Sequence, residues 1–353
     1  MVALRRWTIA GGLFVSTLLA AMAGDIASVY ANDSSAAMAA GGLELIKNDR
    51  VRMVSEVLRI APRLVEVDYV FENTSGADVT TLVAFPLPEL SLSVRYFSPL
   101  NIPFAKDPNF VGFQVWVDGR EIKPDLEMRA FGKGGEITAE LKRLGVDPLH
   151  PKLNRPEVVN ALRQLDVIKG GDVDGTADAP ELVEDWTVRV SFHWSQTFPA
   201  GKRVAVRHRY RPVYGNFYRP TDPNDRIKKD DQKLGGQWCF DPSYNAAELR
   251  LFDRQYEAAA KQKGYVPGNV WYDHVQYVLK TGANWSGPIG RFELQIDKGG
   301  ADLVSTCPIP GLRLQRAPYG FNAVANDYTP TNDLDILFVS GRLLDKPDRS
   351  EAR

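Results

Sequence analysis

Apolar side chains recur at every second position through long stretches of this chain. In "RLVEVDYVF" Val65, Val67, Tyr69 and Phe71 fall on one face and Glu66 and Asp68 on the other. "WTVRVSFHW" sets Trp186, Val188, Val190, Phe192 and Trp194 against Thr187, Arg189, Ser191 and His193. "KRVAVRHRY" sets Val204, Val206, His208 and Tyr210 against Arg203, Ala205, Arg207 and Arg209, and "RFELQIDKG" alternates Phe292, Leu294 and Ile296 with polar neighbours. Period-two alternation buries one face of a strand and wets the other. Antiparallel sheets behave this way, whereas strands of a doubly wound parallel sheet read as continuous apolar runs. "FQVWVDGREI" predicts a hairpin, because Asp118-Gly119 suits a type I′ turn. Pro199-Ala200-Gly201 predicts the turn ahead of the arginine-bearing strand.

Helical spacing interrupts this pattern at three places. "EITAELKRLG" stripes Ile137, Leu141 and Leu144 and stops at Gly145, and "RPEVVNALRQLDVI" stripes Val158, Leu162 and Leu165. "DPSYNAAELRLFDRQYEAAAKQKG" has Asp241 to cap it, Pro242 in the first turn and Gly264 to close it. Its predicted apolar stripe is Leu249, Phe252, Tyr256 and Ala259. The stretches 169–185 and 220–236 read as solvated loops. The fold class is therefore α+β and mainly antiparallel, a β-sandwich with helices inserted at 136–168 and a C-terminal helix plus β-hairpin region. "TLVAFPLPEL" ends a strand on Pro86 and Pro88. Proline belongs at strand ends and edges, so the pair predicts a strand that stops at the sandwich rim, with no pairing beyond it.

The first residues change the picture of where this fold works. Arg5 and Arg6 precede an apolar run from Trp7 to Ala23, and small residues offer cleavage after Ala23 ("AMA") or Ala31 ("VYA"). This predicts a signal peptide over 1–31, with an uncleaved anchor as the alternative. Export to the periplasm follows. Removing Arg5, Arg6 and Asp25 takes the net charge from −1 to −2, too near neutral to draw nucleic acid by bulk electrostatics. With 44% hydrophobic and 25% charged residues the chain is globular. Cys239 and Cys307, both past the leader, predict one disulfide, worth about 4 kcal/mol of chain entropy.

Catalytic motifs do not stand out. There is no nucleophile elbow, no His-Glu-x-x-His, no Walker loop and no dinucleotide fingerprint. "GKGGEIT" reads as a loop before a helix, and Asp172, Asp174 and Asp178 as an acidic surface loop whose glycine is misplaced for calcium. The histidines at 150, 193, 208 and 274 are scattered, so neither metal nor cofactor is called for. His208 shares a face with Val204, Val206 and Tyr210, which makes it a satisfied core or rim histidine. Arg203, Arg207, Arg209 and Arg211 make either a solvated face or a docking surface for an acidic partner or a lipid headgroup. "VWYDHVQYVLKTGANWSGPIGRFELQI" flanks a glycine-rich loop with strands, and its Trp285 is either a plug over the sandwich end or an exposed anchor. Candidate contact residues are Trp285, Tyr272, His274, Arg207 and Arg209.

Two resemblances rest on these same residues. "VFENTSGADVTTLVAFPLPEL", "FQVWVDGREI" and "FPAGKRVAVRHRY" resemble, in that order, the VIT domain of inter-alpha-trypsin inhibitor heavy chains, and imply a β-sandwich used for protein interaction over 32–215. The helices at 136–168 depart from that module, and no von Willebrand A partner or Asp-x-Ser-x-Ser metal motif follows. "ANDSSAAMAAGGLELIKNDRVRMVSEVL", "TLVAFPLPEL" and "YVLKTGANWSGPIGRFELQIDKG" resemble the bacterial exported family catalogued as domain of unknown function 4424. That resemblance spans almost the whole mature chain and implies export and architecture without an activity. Residues 216–353 form an α+β region packed on the same sandwich or standing apart. The expected role is a non-enzymatic envelope protein that binds a protein or glycan. The alternatives are an envelope hydrolase using distant residues such as Asp273, His274 and Glu293, and a structural protein held by its leader.

Overall fold

The computed structural model describes residues 32–39, 42–93, 99–170, 182–221, 238–261 and 269–342. The leader, the acidic loop with Asp172, Asp174 and Asp178, the centre of the 220–236 stretch and Gly264 lie outside these residues. Numbered in chain order, the first sheet contains β1 (Ser34–Ala39), β2 (Gly42–Leu45), β5 (Val79–Pro86), β6 (Leu90–Ser91), β10 (Asp125–Gly132), β11 (Gly135–Glu136) and β14 (Thr187–Phe198). The second sheet has the order β20 (Gln315–Ala317), β21 (Gly320–Tyr328), β18 (Ile289–Asp297), β3 (Val51–Ala61), β4 (Leu64–Asn73), β15 (Arg203–Tyr210), β8 (Gln114–Val117), β9 (Arg120–Ile122). The third has the order β19 (Leu303–Thr306), β22 (Leu334–Arg342), β17 (Asn269–Tyr277), β16 (Tyr214–Pro220), β7 (Leu100–Asn101). A small ribbon pairs β12 (Ile168–Lys169) with β13 (Val183–Glu184).

The alternating positions do what the pattern predicts. Val65, Val67, Tyr69 and Phe71 of β4 and Val204, Val206, His208 and Tyr210 of β15 are buried against Val188, Val190, Phe192 and Trp194 of β14. Each such side chain contributes about 1.5–3 kcal/mol by leaving water. Asp118 and Gly119 take positive φ values of 47° and 77°, as a type I′ turn requires. Pairing is antiparallel throughout except where β18 runs parallel to β3. That pair joins strands from both sides of residue 215 in one sheet. Arg63, in the β3–β4 turn, ties the third sheet on: it lies 3.7 Å from the centre of the Tyr214 ring and donates to Asp273 at 2.9 Å. The other face of the third sheet is covered by a helix.

Three α-helices occur among the described residues: α1 (Thr138–Leu144), α2 (Pro156–Gln164) and α3 (Pro242–Ala260). Asp241 caps α3 by accepting from the Tyr244 N–H at 2.7 Å. The expected stripe on α3 needs correction. Leu249 is 52% exposed, and the buried positions are Glu248, Leu251, Phe252 and Ala259. The reason is a polar anchor. Tyr272 donates to Glu248 at 2.7 Å and Arg219 donates at 3.3 Å, which turns Glu248 inward and Leu249 out to solvent.

The prolines also behave differently from expectation. β5 does end at Pro86, but pairing to β14 resumes at Leu90↔Val188. Four steps from Pro86 to Leu90 face three from Ser191 to Val188, so the prolines sit in a one-residue bulge. Leu87 donates to Val190 at 2.8 Å, toward β14. In an extended chain the neighbouring nitrogens of Pro86 and Pro88 then face the opposite edge. On that edge β1 pairs only as far as Ser34↔Ala84. The two missing donors lie where no strand follows among the described residues, and prolines there deter further pairing.

Candidate functional site

A cleft of about 270 Å³ opens where the third sheet meets the sandwich rim. One wall comes from the proline bulge, with Leu87, Pro88 and Leu90; Leu100 and Val213 add apolar surface opposite. The polar side comes from β17, whose His274 and Gln276 both hydrogen-bond Asp335 Oδ1 at 2.9 Å. Burial opposes ionisation of Asp335, yet those two hydrogen bonds, with the electrostatic pull of His274, together hold the carboxyl below its usual range. The indole of Trp238 stands edge-on to the His274 ring at 4.3 Å. Tyr210 also lines the cleft, and its buried hydroxyl has no hydrogen-bond partner among the described residues. A larger groove of about 610 Å³ runs between α3, the Cys239–Cys307 disulfide and the β20–β21 hairpin. It is more open, and none of the buried unpartnered polar atoms lies in its wall. The smaller cleft is the better-built site.

Behind it, inside the sandwich, sits a polar centre. Glu56 occupies an inward position of β3 in phase with Leu58 and Ile60, and is fully buried. Asn32 and Asp33, which precede β1, are equally buried. Asn32 Nδ2 donates to both Glu56 oxygens, at 3.1 and 3.3 Å. Tyr69 donates to Asn32 Oδ1 at 2.6 Å, and with that proton spent, Tyr277 donates to the Tyr69 oxygen across 3.2 Å. Among the described residues the Asp33 carboxyl accepts no hydrogen bond, and His208 Nε2 lies 3.6 Å from it. Burial pushes the Glu56 carboxyl up to about 8, against the lowering effect of the Asn32 hydrogen bond. Burial, then the charge of Glu56, raises Asp33 well above the carboxylate range. Burial alone drives His208 down to about 3, so its ring is neutral.

The sequence-predicted contact residues do not converge on one site, although Arg207 and Arg209 share an open groove of about 550 Å³ on the second sheet. Trp285 is 1% exposed, packs on Phe71 at 4.7 Å and donates to the Asp33 carbonyl at 2.7 Å. It fills the sandwich end as a plug and is out of reach of a partner. Tyr272 is buried under α3 on Glu248. Arg207 and Arg209 lie on the outer face of the second sheet. There Arg207 meets Glu66 at 3.1 Å and Asp68 at 3.6 Å, and Arg209 meets Glu66 at 3.8 Å. Only His274 lines the cleft. The carboxylates proposed to act with it are elsewhere: Asp273 turns to the other face of β17 and pairs with Arg63, while Glu293 sits on β18. Hydrogen bonds from Gln295 and Arg291 hold Glu293 below the carboxylate range, which makes it a poor proton donor. No Ser, Thr or Cys is hydrogen-bonded to His274 among the described residues. No three His, Cys, Asp or Glu side chains among them converge as a metal site needs.

Sequence reasoning missed Asp335, Tyr210's free hydroxyl and the whole Glu56 centre. The signal for Glu56 was present, as a charged residue in step with Leu58 and Ile60. Nothing local distinguishes Asp335 from any exposed strand aspartate.

A search of the curated proteins finds no match to this sequence. Among solved structures the chain is similar to the crystal structure of "a putative nutrient binding protein" from Legionella pneumophila subsp. pneumophila str. Philadelphia 1. The identity is 14% and the TM-score 0.40, over 89% of this chain and 72% of that one. A likeness that weak carries no functional inference. The family match is of a different order: the profile described as "Domain of unknown function (DUF4424)" matches residues 31–337, and the protein belongs to that family.

Proposed function

We propose that the protein is an exported, non-enzymatic binding protein of the bacterial envelope, and that its cleft holds an apolar group presented by a protein partner. The observation that carries this reading is the apolar wall of Leu87, Leu90, Leu100 and Val213 facing the polar His274 and Gln276: a group entering the cleft gains burial on one side and hydrogen-bonding groups on the other. Ligand pockets for whole small molecules run from about 300 Å³ upward, so about 270 Å³ fits an anchoring side chain better. The VIT-like order of the proline, hairpin and arginine-strand motifs supports an interaction role. The leader and the disulfide support export. No helix among the described residues is long and apolar enough to cross a membrane.

Gln276 is exposed at the cleft mouth, so Gln276→Trp fills the cleft with little effect on folding. A photo-reactive residue at position 276 is expected to cross-link one discrete envelope protein, whereas the same residue at exposed Met38 is not. Equal labelling from both positions would sink the proposal. So would turnover of an ester or glycan substrate that disappears in His274→Gln.

A further inference from the structure

The sandwich interior holds two carboxylates, Asp33 and Glu56, and no lysine or arginine among the described residues pairs with either. A buried carboxylate without a cation is costly, and proteins either pair it or leave it protonated. One backbone nitrogen belongs to the residue that bridges this centre. Asn32 N is buried and donates to Thr281 Oγ1 at 2.7 Å, while Thr281 Oγ1 donates back to the Asn32 carbonyl at 2.8 Å. The seat is fitted to this residue: a Cβ on Gly282 would come within 2.7 Å of Asn32 Nδ2. Asn284 bonds Ser34 Oγ at 2.8 Å and Trp285 bonds the Asp33 carbonyl, so the 280–285 loop holds residues 32–34 one after another. The second cleavage point of the leader falls directly before Asn32, and the family match begins at residue 31.

We propose that cleavage of the Ala31–Asn32 bond makes Asn32 the first residue of the mature protein, and that its new α-ammonium, seated on Thr281 inside the sandwich, is the counter-charge of Asp33 and Glu56. The step is a peptide hydrolysis. Water gives its hydroxyl to the Ala31 carbonyl and a proton to the Asn32 nitrogen, and the amine takes a second proton from solvent, as α-amines do near neutral pH. One N–H of the ammonium keeps the bond to Thr281, and the remaining donors serve the carboxylates. An uncleaved chain has an amide at this point with no charge to offer. Processing is thereby coupled to completion of the sandwich, and the exported form is the stable one.

This inference shares the export reading with the proposed function but is independent of the cleft. The test compares two full mature chains, released from a fusion so that one begins at Asn32 and the other carries a single additional Gly ahead of it. The Asn32-first chain is expected to melt about 5 °C or more above the Gly-extended one. That gap is expected to shrink to near zero when both chains carry Asp33→Asn and Glu56→Gln. Should the extended chain fail to fold, the same reading is obtained on the Asn32-first protein alone: its α-amine resists acylation at pH 8 in the native state and reacts freely in urea. Equal melting temperatures, a native amine as reactive as that of an exposed peptide, or exported protein whose N-terminus is Gly24 would each overturn the proposal. None of these results touches capture by the cleft, so the two readings fail separately.

Discussion

On the outer face of the second sheet Arg207 meets Glu66 at 3.1 Å, Arg59 meets Asp68 at 2.6 Å and Arg52 meets Glu72 at 2.8 Å. On the inner face of the same sheet Glu56 meets an amide, and His208 meets nothing within hydrogen-bond distance. The outer charges are neatly paired, yet each arginine is roughly half exposed, and water screens the pairs. Such pairs contribute about 0–1 kcal/mol each. The inner carboxyl groups lack a cationic partner among the described residues, and each of them costs desolvation. Apparent order on a sheet is therefore a poor guide to importance: the well-paired ladder is expendable, and the under-paired interior is where the fold has something to explain.

Substitutions can break or sharpen this contrast. The largest loss is expected from Trp285→Ala, which empties the sandwich end and removes the donor to the Asp33 carbonyl. Urea unfolding should show a cost of about 3–5 kcal/mol. Next comes Gly282→Ala, whose added methyl displaces Asn32 from its seat. A cost of about 1–3 kcal/mol by the same measurement is expected, of the size seen when a core is overpacked. His208 follows. Its folded pKa of about 3 lies below the unfolded 6.5, so the unfolded chain binds a proton that the folded chain refuses, and stability falls as pH drops through that window. At pH 5 this site should cost about 2 kcal/mol relative to neutral pH, and His208→Leu should flatten that part of the stability curve. Smallest is Arg207→Ala, expected within about 0.5 kcal/mol of wild type. A loss of 2 kcal/mol there would erase the distinction between the faces.

Much of this was legible in the sequence, and the exceptions share a cause. Alternation in Val65 to Phe71, Trp186 to Trp194 and Val204 to Tyr210 marks strands because burial is decided locally, side chain by side chain. Asp118-Gly119 and Asp241-Pro242 likewise carry their turn and cap within a few residues. Leu249 was misplaced because the rotation of α3 is set by Tyr272 and Arg219, which come from other strands. Pro86 and Pro88 were read correctly as strand punctuation, but the resumption of pairing at Leu90 depends on β14, a hundred residues away. The sites fared worst for the same reason. His274 could be nominated, but its partner Asp335 and the apolar wall at Leu87 and Leu90 meet it only through the topology. Asn32, Glu56 and Thr281 are likewise distant in sequence and adjacent in space.

The most direct test of the inner-face account is stability against pH, measured by urea unfolding from pH 4.5 to 8.5 on the Gly-extended and Asn32-first chains. In the extended chain Glu56 has no cation. Its folded pKa, raised from 4.5 to about 8, makes stability full below pH 4.5 and lost as pH rises toward 8, on the order of 4 kcal/mol in all. Asp33, His208, Tyr69, Tyr277 and Tyr328 face the same space, and none of them supplies a positive charge at neutral pH. In the Asn32-first chain the ammonium holds Glu56 ionised, and stability should stay level across the neutral range. Divergence of the two curves above pH 5 is the predicted result; curves that run parallel to pH 8 would contradict the account.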